Sequence, residues 1–127
     1  MIIGLGLDAV EIARFQTWPT YSLERLQQVF SLQEIEYASS VPLKSPERLA
    51  ARFAAKEAAY KALAHLMPIQ ISLMAFCKLV QVVNDPSGAP QLIVDWSALG
   101  LSDQIRLLIS ITHTQTLAIA VVTAESL

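Results

Sequence analysis

The sequence predicts an α+β domain, and three observations lead to this prediction. One apolar, β-branched segment opens the chain, segments with helix-start signals follow, and several β-branched segments separated by turns close it. Strands that cluster along the chain apart from the helices are typical of an α+β fold with antiparallel strands. The length of 127 residues suits one domain with its own core, so we expect a single domain over residues 1–127.

The opening strand is predicted over residues 2–10, which are apolar and partly β-branched. Gly4 and Gly6 lie inside this segment, and glycine in a strand often marks the close approach of another backbone. No basic segment precedes the strand, and Asp8 and Glu11 interrupt its apolar character. The segment therefore does not have the pattern of a signal peptide.

Two helices are predicted in the middle of the chain. Ser31 and Glu34 have the spacing of a capping box, which predicts a short helix over residues 32–39. Ser45 is predicted as the N-cap of a longer, alanine-rich helix, because a proline and an acid follow it at once. This helix should run to about Leu66, before the next proline.

The second half of the chain has the pattern of antiparallel strands. β-branched runs predict four strands, over residues 76–83, 91–95, 106–112 and 116–123. The segment 84–90 is a turn signal with two prolines and a glycine, and residues 113–115 form the turn between the last two strands. Ser97 is predicted to cap a brief helix, and Cys77 is predicted to lie in the core.

Composition and charge narrow the range of functions. Hydrophobic residues make up 54% of the chain and its mean hydropathy is +0.46, so we expect another subunit to cover part of the apolar surface. No apolar run approaches the roughly 18 residues needed to cross a bilayer, so we expect no membrane segment. The net charge of −2 argues against nucleic acid as a partner. The single cysteine fits a reducing compartment, and we expect a cytoplasmic protein.

Positive charge is concentrated in one segment. Residues 44–61 contain five of the nine Lys and Arg residues: Lys44, Arg48, Arg52, Lys56 and Lys61. A basic segment on an otherwise acidic chain indicates a localised anion site, whereas the alternative is an ordinary solvated helix face.

The predicted long helix favours the anion site. At 100° per residue, large apolar side chains fall on one face and alanines on the opposite face, which leaves no charged stripe for solvent. Lys56 projects into the large apolar face, between Arg52 and Glu57. Buried charges need partners or a ligand. In a network of Arg52, Glu57 and Lys61 the charges would pair with one another, but Lys56 would have no partner. We therefore expect Lys56 and its neighbours to bind an anion.

Asp8, Glu57 and His113 are the candidates for chemistry. Asp8 ends the first strand, where an aspartate often caps a turn. Paired with Glu57, it would instead hold a hard divalent cation such as Mg²⁺, with substrate phosphates completing the ligand shell. His113 is either a turn residue or, with neighbouring hydroxyls such as that of Thr114, part of a phosphate-binding strand end. Spacing along the sequence does not decide between these roles.

Three segments, in this order, resemble motifs of the bacterial holo-[acyl-carrier-protein] synthases, which are 4'-phosphopantetheinyl transferases. They are GLGLDAVEIARF at residues 4–15, RFAAKEAAYKA at residues 52–62 and SITHT at residues 110–114. Residues 88–90 also fit the turn that precedes a strand in this family. The resemblance implies a compact α+β domain with a long central helix against an antiparallel sheet, usually a homotrimer with active sites between subunits.

The resemblance also implies a reaction. The family moves 4'-phosphopantetheine from coenzyme A to a serine of the acyl-carrier protein with Mg²⁺, and releases adenosine 3',5'-bisphosphate. The implied contacts are Mg²⁺ with Asp8 and Glu57, the coenzyme A diphosphate with Lys61 and His113, the 3'-phosphate with Arg52, the adenine with the turn from Gly88 to Pro90, and the acidic carrier with Arg14 and Lys44. The base that deprotonates the serine stays open among Glu57, a metal-bound water and a group on the carrier.

Two other functions are compatible with the residues alone. A small magnesium-dependent hydrolase of nucleotides would use the same carboxylates without a protein acceptor. A non-catalytic oligomeric module would use the charged helix only as a salt network between subunits. The ordered set of motifs favours the transferase over both.

Overall fold

The α+β fold predicted from the sequence is confirmed in a computed structural model that describes all residues from Met1 to Leu127. The strands are β1 (Ile2–Glu11), β2 (Val80–Asn84), β3 (Pro90–Val94), β4 (Ile105–His113) and β5 (Leu117–Ser126). The α-helices are α1 (Leu23–Leu26), α2 (Leu32–Ser39), α3 (Ser45–Leu63), α4 (Leu73–Cys77) and α5 (Trp96–Leu99). Short 3₁₀ segments lie at Ile12–Phe15, Trp18–Thr20, Pro42–Lys44 and Ala64–Leu66.

The strands form two antiparallel sheets. The larger sheet has the order β1-β5-β4, and β2 and β3 form a separate hairpin. In the larger sheet, Asp8 of β1 is opposite Ala120 of β5, and His113 of β4 is opposite Ala118 of β5. Directly opposite residues share a face of the sheet. Asp8 and His113 therefore lie on the same face, on the two strands that flank β5.

Helix α3 covers this face at short range. Gly4, Gly6 and Asp8 are buried on the helix side of β1, and the residues between them are exposed. A Cβ atom at Gly4 would overlap the carbonyl oxygen of Ala62, and one at Gly6 would overlap that of Ala58. The predicted close approach of another backbone to the two glycines is thus confirmed, and that backbone belongs to the alanine face of α3.

The core lies on both sides of α3. Its 27 buried hydrophobic residues form one cluster. Alanines of α3 contact the sheet, and the larger side chains on the opposite face contact the segment before α2, where the rings of Phe53 and Phe15 are 5.6 Å apart. Enclosure of α3 on both faces, which the helical arrangement predicted, is confirmed.

Two predictions of local structure were wrong in the second half of the chain. Residues 76 and 77 belong to α4 and not to a strand, because the side chain of Ser72 accepts a hydrogen bond from the backbone N–H of Ala75 and starts a helix there. Cys77 is buried as predicted, but at the end of this helix. The brief helix α5 is capped by Asp95, which accepts from the N–H of Ala98, and not by Ser97.

The ends of α3 also differ from prediction. Ser45 is the first residue of the helix and not its N-cap, because the 3₁₀ segment Pro42–Lys44 runs directly into it. At the other end α3 stops at Leu63, and residues 64–66 form a tighter 3₁₀ turn. Such tightening is common where a helix ends before a proline.

The second face of the larger sheet is uncovered and largely apolar on β1 and β5, whereas β4 also places Arg106, Ser110 and Thr112 on it. Leu5 and Leu7 of β1 and Leu108 of β4 are at least half exposed there. On β5, Ile119 and Val121 alternate with the buried alanines and lie on the same outer face. None of the helices is both long and apolar enough to cross a membrane.

Candidate active site

Asp8 and Glu57 meet between β1 and α3. Asp8 is buried, and its Oδ2 atom has no hydrogen-bond partner when both carboxylates are ionised, whereas a protonated Glu57 can donate to Asp8. Burial, followed by the hydrogen bond and the charge of Asp8, raises the pKa of Glu57 to about 7. When two carboxyl groups are adjacent, ionising both is unfavourable because the two negative charges repel, unless a cation binds between them. The two ionised carboxylates would therefore be stabilised by additional positive charge.

Lys61 supplies part of the positive charge that the two carboxylates need. Its Nζ atom is 3.1 Å from Oδ1 of Asp8 and also donates a hydrogen bond of 3.0 Å to the carbonyl oxygen of Leu7. The sequence suggested a network of Lys61 with Glu57 and Arg52, but the ion pair is formed with Asp8. The Lys61 side chain is 53% exposed, so its remaining N–H is accessible from solvent.

The carboxylate pair fits Mg²⁺. The unpartnered Oδ2 atom of Asp8 and its closeness to Glu57 suit a cation between the two side chains. No group of three or more His, Cys, Asp or Glu side chains could hold a metal ion in this chain. A site with two carboxylates suits Mg²⁺, which completes its shell with water and substrate phosphates, and does not suit an ion that needs a full set of protein ligands.

A basic cavity of about 270 Å³ lies toward the N-terminal end of α3. It brings together five residues that the sequence assigned to coenzyme A or to the carrier: Lys44, Arg52, Gly88, Pro90 and His113. It also contains residues that the sequence did not assign to the site: Tyr37, Glu47, Arg48, Ala51, Asn84 and Ile111. Of these, only Arg48 had a sequence signal, its place in the basic segment.

Arg52 is the most enclosed cation of the cavity. It is 5% exposed, its Nε atom has no hydrogen-bond partner, and burial lowers its pKa. The guanidinium groups of Arg52 and Arg48 both lie over the ring of Tyr37, at 4.0 Å and 4.2 Å from its centre. Arg48 is held further by a 2.8 Å hydrogen bond to the carbonyl oxygen of Tyr37. The cavity thus presents two oriented guanidinium groups to an anion.

His113 and Thr114 have different surroundings although they are adjacent. Nε2 of His113 is 3.2 Å from Oε1 of Glu47 at the cavity wall. Thr114 does not line the cavity, and its Oγ1 atom accepts hydrogen bonds from the N–H groups of Thr116 and Leu117 in the β4–β5 turn. His113 is thus placed with Arg52, whereas Lys61 lies with Asp8 farther along α3.

The prediction that Lys56 binds an anion is wrong in this structure. Lys56 is completely buried, and its three N–H donors are taken by Oε1 of Glu34 at 2.7 Å and by the carbonyl oxygens of Val29 and Cys77 at 2.8 and 2.9 Å. Glu34, the N3 residue of the α2 capping box, supplies the opposite charge. Helical periodicity could not reveal this partner, because Glu34 comes from another helix.

Arg14 lies next to the carboxylate pair. Its guanidinium group is 5.4 Å from the ring centre of Phe53, on the face of α3 that precedes Glu57 by one turn. It acts weakly on the pKa of Glu57, after burial, Asp8 and Lys61. Arg14 itself is exposed, so a partner protein can reach it.

Paired carboxylates with an adjacent lysine, and a basic cavity farther along the same helix, define an enzyme that acts on a phosphate-bearing substrate. A family model described as the 4'-phosphopantetheinyl transferase superfamily matches residues 4–122. The chain belongs to this superfamily.

Relatives and solved structures agree with this assignment. The holo-[acyl-carrier-protein] synthase of Treponema denticola is 38% identical over 98% of this chain and 99% of its own length. That of Geobacter sp. strain M21 is 39% identical over the same shares of the two chains. The synthase of Bacillus anthracis, solved in complex with CoA (3',5'-ADP), matches with a TM-score of 0.77 and 29% identity over 100% of this chain and 99% of that one. The ACPS–CoA complex of Chronobacterium ammoniagenes matches with a TM-score of 0.80 and 26% identity over 98% and 97%.

Proposed function

We propose that this chain transfers 4'-phosphopantetheine from coenzyme A to a serine of apo-acyl-carrier protein and releases adenosine 3',5'-bisphosphate. The observation that carries the proposal is the meeting of Asp8 and Glu57 with an unpartnered carboxylate oxygen, beside an accessible lysine. The relatives named as synthases, and the solved relatives bound to coenzyme A, support this substrate.

The basic cavity takes the nucleotide end of coenzyme A. Arg52 and Arg48 bind the 3'-phosphate, because their guanidinium groups are already oriented against Tyr37 and the Nε–H of Arg52 lacks an acceptor. The turn residues Gly88 and Pro90 also line the cavity and contact the adenine. His113 contacts a phosphate from the end of β4.

The reacting diphosphate lies between the cavity and the carboxylate pair. Asp8 and Glu57 would hold Mg²⁺, which would supply positive charge to neutralise the diphosphate. The carrier serine oxygen forms a bond to the β-phosphorus, and the bond from that phosphorus to the bridging oxygen breaks. Lys61 donates its remaining N–H to the charge that develops on the phosphate oxygens. Glu57 is the candidate on this chain to accept the serine proton, because Asp8 is already paired with Lys61.

The partners follow from the exposed surface. Arg14 contacts the acidic carrier protein, because it is accessible and lies beside the carboxylate pair to which the serine must come. Lys44 lines the nucleotide cavity and is exposed, so it also lies at the edge that the carrier reaches. The uncovered apolar face of the larger sheet supports a homotrimer, in which that face is buried. We place this single domain of residues 1–127 in the cytoplasm, on the grounds of its one free cysteine.

A direct experiment uses the full chain with coenzyme A, Mg²⁺ and an apo-acyl-carrier protein, and weighs the carrier by mass spectrometry. The expected result is a gain of one phosphopantetheine group. Asp8→Ala and Glu57→Ala should each lower the rate by roughly a hundredfold or more, because each removes a ligand of the charge-neutralising ion. Asp103→Ala is the matched control, since Asp103 is an exposed acid at the opposite end of the larger sheet from Asp8.

Other outcomes separate the alternatives. Breakdown of coenzyme A without modification of the carrier would identify a hydrolase. Absence of coenzyme A binding would identify a non-catalytic module. Near-normal activity of the Asp8 or Glu57 variant would show that the two carboxylates are not the metal site.

A further inference from the structure

Glu47 is the one acidic residue among those that line the basic cavity. It lies in the first turn of α3, between Lys44 and Arg48, and its side chain is 33% exposed. A carboxylate in a cavity that receives phosphate opposes binding, because like charges repel. Its presence among these cations needs a function that offsets this repulsion.

The contact of Glu47 with His113 indicates what this function is. Oε1 of Glu47 is 3.2 Å from Nε2 of His113, and Glu47 makes no other ion pair. The contact joins the first turn of α3 to the last residue of β4, elements far apart in sequence. An acid in the first turn of a helix also interacts well with the helix dipole, but that interaction does not require the side chain to reach β4.

His113 has little else to fix its ring. It is the last residue of β4, its side chain is 52% exposed, and its only other polar contact is a long one of 3.4 Å from Nδ1 to the carbonyl oxygen of its neighbour Thr114. An imidazole in this position samples several rotamers when no second partner holds it. Ordering such a side chain when a ligand binds lowers the affinity for that ligand.

We infer that Glu47 is a positioning residue for the proposed reaction, and that it acts by holding the His113 ring against the wall of the nucleotide cavity. The inference rests on the proposed function, because it takes the phosphate of coenzyme A as the group that His113 meets. Glu47 itself does not touch the substrate. Any favourable effect of Glu47 on binding should therefore depend entirely on the presence of His113, and without His113 only the repulsion of the phosphate should remain.

A double-mutant cycle tests this dependence. The full chain is compared with Glu47→Ala, His113→Ala and the double variant, and kcat and the KM for coenzyme A are measured in carrier modification. Glu47→Ala should raise KM by roughly three- to fivefold, the range that a partly exposed ion pair supports. It should change kcat by less than about twofold, since ordering is lost equally for the ground and transition states. In the His113→Ala background the same substitution should leave KM unchanged or lower it, because it then only removes the repulsion between Glu47 and the phosphate.

Two controls keep the cycle interpretable. Glu36→Ala removes an exposed glutamate of α2 that has no ion pair and should leave KM unchanged. Thermal unfolding shows whether each variant is folded, and Glu47→Gln, of equal size, replaces Glu47→Ala in the same cycle if the alanine variant does not fold. The glutamine variant should give a smaller increase in KM with the same dependence on His113.

The inference is overturned if Glu47→Ala raises KM equally with and without His113. It is also overturned if this variant lowers the unfolding temperature but leaves KM as it was, because Glu47 would then only stabilise the start of α3. Failure of the unmodified chain to bind coenzyme A or to modify the carrier would instead reject the proposed function and this inference together. A failure of the inference is thus seen only in the Glu47 variants, whereas a failure of the proposed function is seen in the unmodified chain.

Discussion

Lys56 and Lys61 lie five residues apart on α3, and each pairs with a carboxylate from another element. Lys56 is sealed inside the molecule, and all three of its N–H donors have acceptors. Lys61 is half exposed, and it faces Asp8, one of whose oxygens has no partner. One pair is complete without a ligand, and the other is incomplete.

The difference shows which features of a buried charge indicate function. Burial alone does not, because Lys56 is the more deeply buried of the two lysines and connects α3 to Glu34 of α2 and to the chain before β2. An unused donor or acceptor beside a charge is the better indicator. Structural and functional lysines can thus be separated only when their partners are known.

The largest expected effect on stability comes from breaking the buried ion pair of Lys56 and Glu34 (the sealed pair), whereas Lys61 and Asp8 form the open pair. Lys56→Met should lower the free energy of unfolding by about 3–5 kcal/mol, because it leaves the charge of Glu34 buried without its counter-ion. Lys61→Met is the matched substitution at the open pair and should cost less, about 1–3 kcal/mol, because it leaves the buried Asp8 without its cation although the Lys61 side chain itself is exposed. Urea unfolding of both variants measures the contrast. Equal stability of the two would remove the distinction drawn between the pairs.

An intermediate effect is expected for the pH dependence of Mg²⁺ binding at the open site. Glu57 must lose its proton to bind the ion, and its pKa in the metal-free chain is about 7. The apparent affinity for Mg²⁺ should therefore fall about tenfold as the pH is lowered from about 8 to about 6. Titration calorimetry with Mg²⁺ measures this, and Glu57→Gln should bind weakly with little pH dependence. An affinity that does not vary across this range would exclude Glu57 as the titrating ligand.

The smallest expected effect is a gain in stability. The folded chain keeps the Glu57 proton up to about pH 7, whereas an ordinary glutamate in the unfolded chain loses it near pH 4.5. The contribution of this group to stability is therefore present at low pH and is lost as the pH rises toward 7. Without Mg²⁺ at about pH 8, Glu57→Gln should raise the free energy of unfolding by roughly 1 kcal/mol or less, after allowance for solvent screening. Thermal unfolding at that pH, with Asp103→Ala as the control, detects the gain, and a loss of stability would contradict the crowded carboxylate pair.

Much of the fold could be predicted from local patterns. The capping box of Ser31 and Glu34 is present in α2 as predicted, and Gly4 and Gly6 indicated the close approach of α3 to β1. The start of β2 was missed, because the apolar run around Cys77 suits a helix and a strand equally, and the Ser72 cap decides between them. Local sequence therefore located most elements but not the boundary between α4 and β2.

The site was predicted less completely, for a physical reason. Asp8, Glu57 and Arg52 were selected as candidates because charge in an apolar or alanine-rich segment is visible in the sequence. Tyr37 and Glu47 were missed, because their roles come from α2 and β4 packing against the first turns of α3, and no spacing along the chain encodes these contacts. Lys56 was assigned to the site for the same reason, since its partner is equally remote in sequence.

Gly4 and Gly6 set the gap between β1 and α3, because any Cβ atom there would meet a helix carbonyl. Asp8 and Glu57 stand on the two sides of this gap, so its width also fixes how far apart the two carboxylates are. A methyl group at either glycine would wedge the elements apart and enlarge the space between the acids, which would favour larger ions such as Ca²⁺ over Mg²⁺. The preference for a small ion would then depend on the absence of a Cβ atom at Gly4 and Gly6, two residues that do not contact the ion.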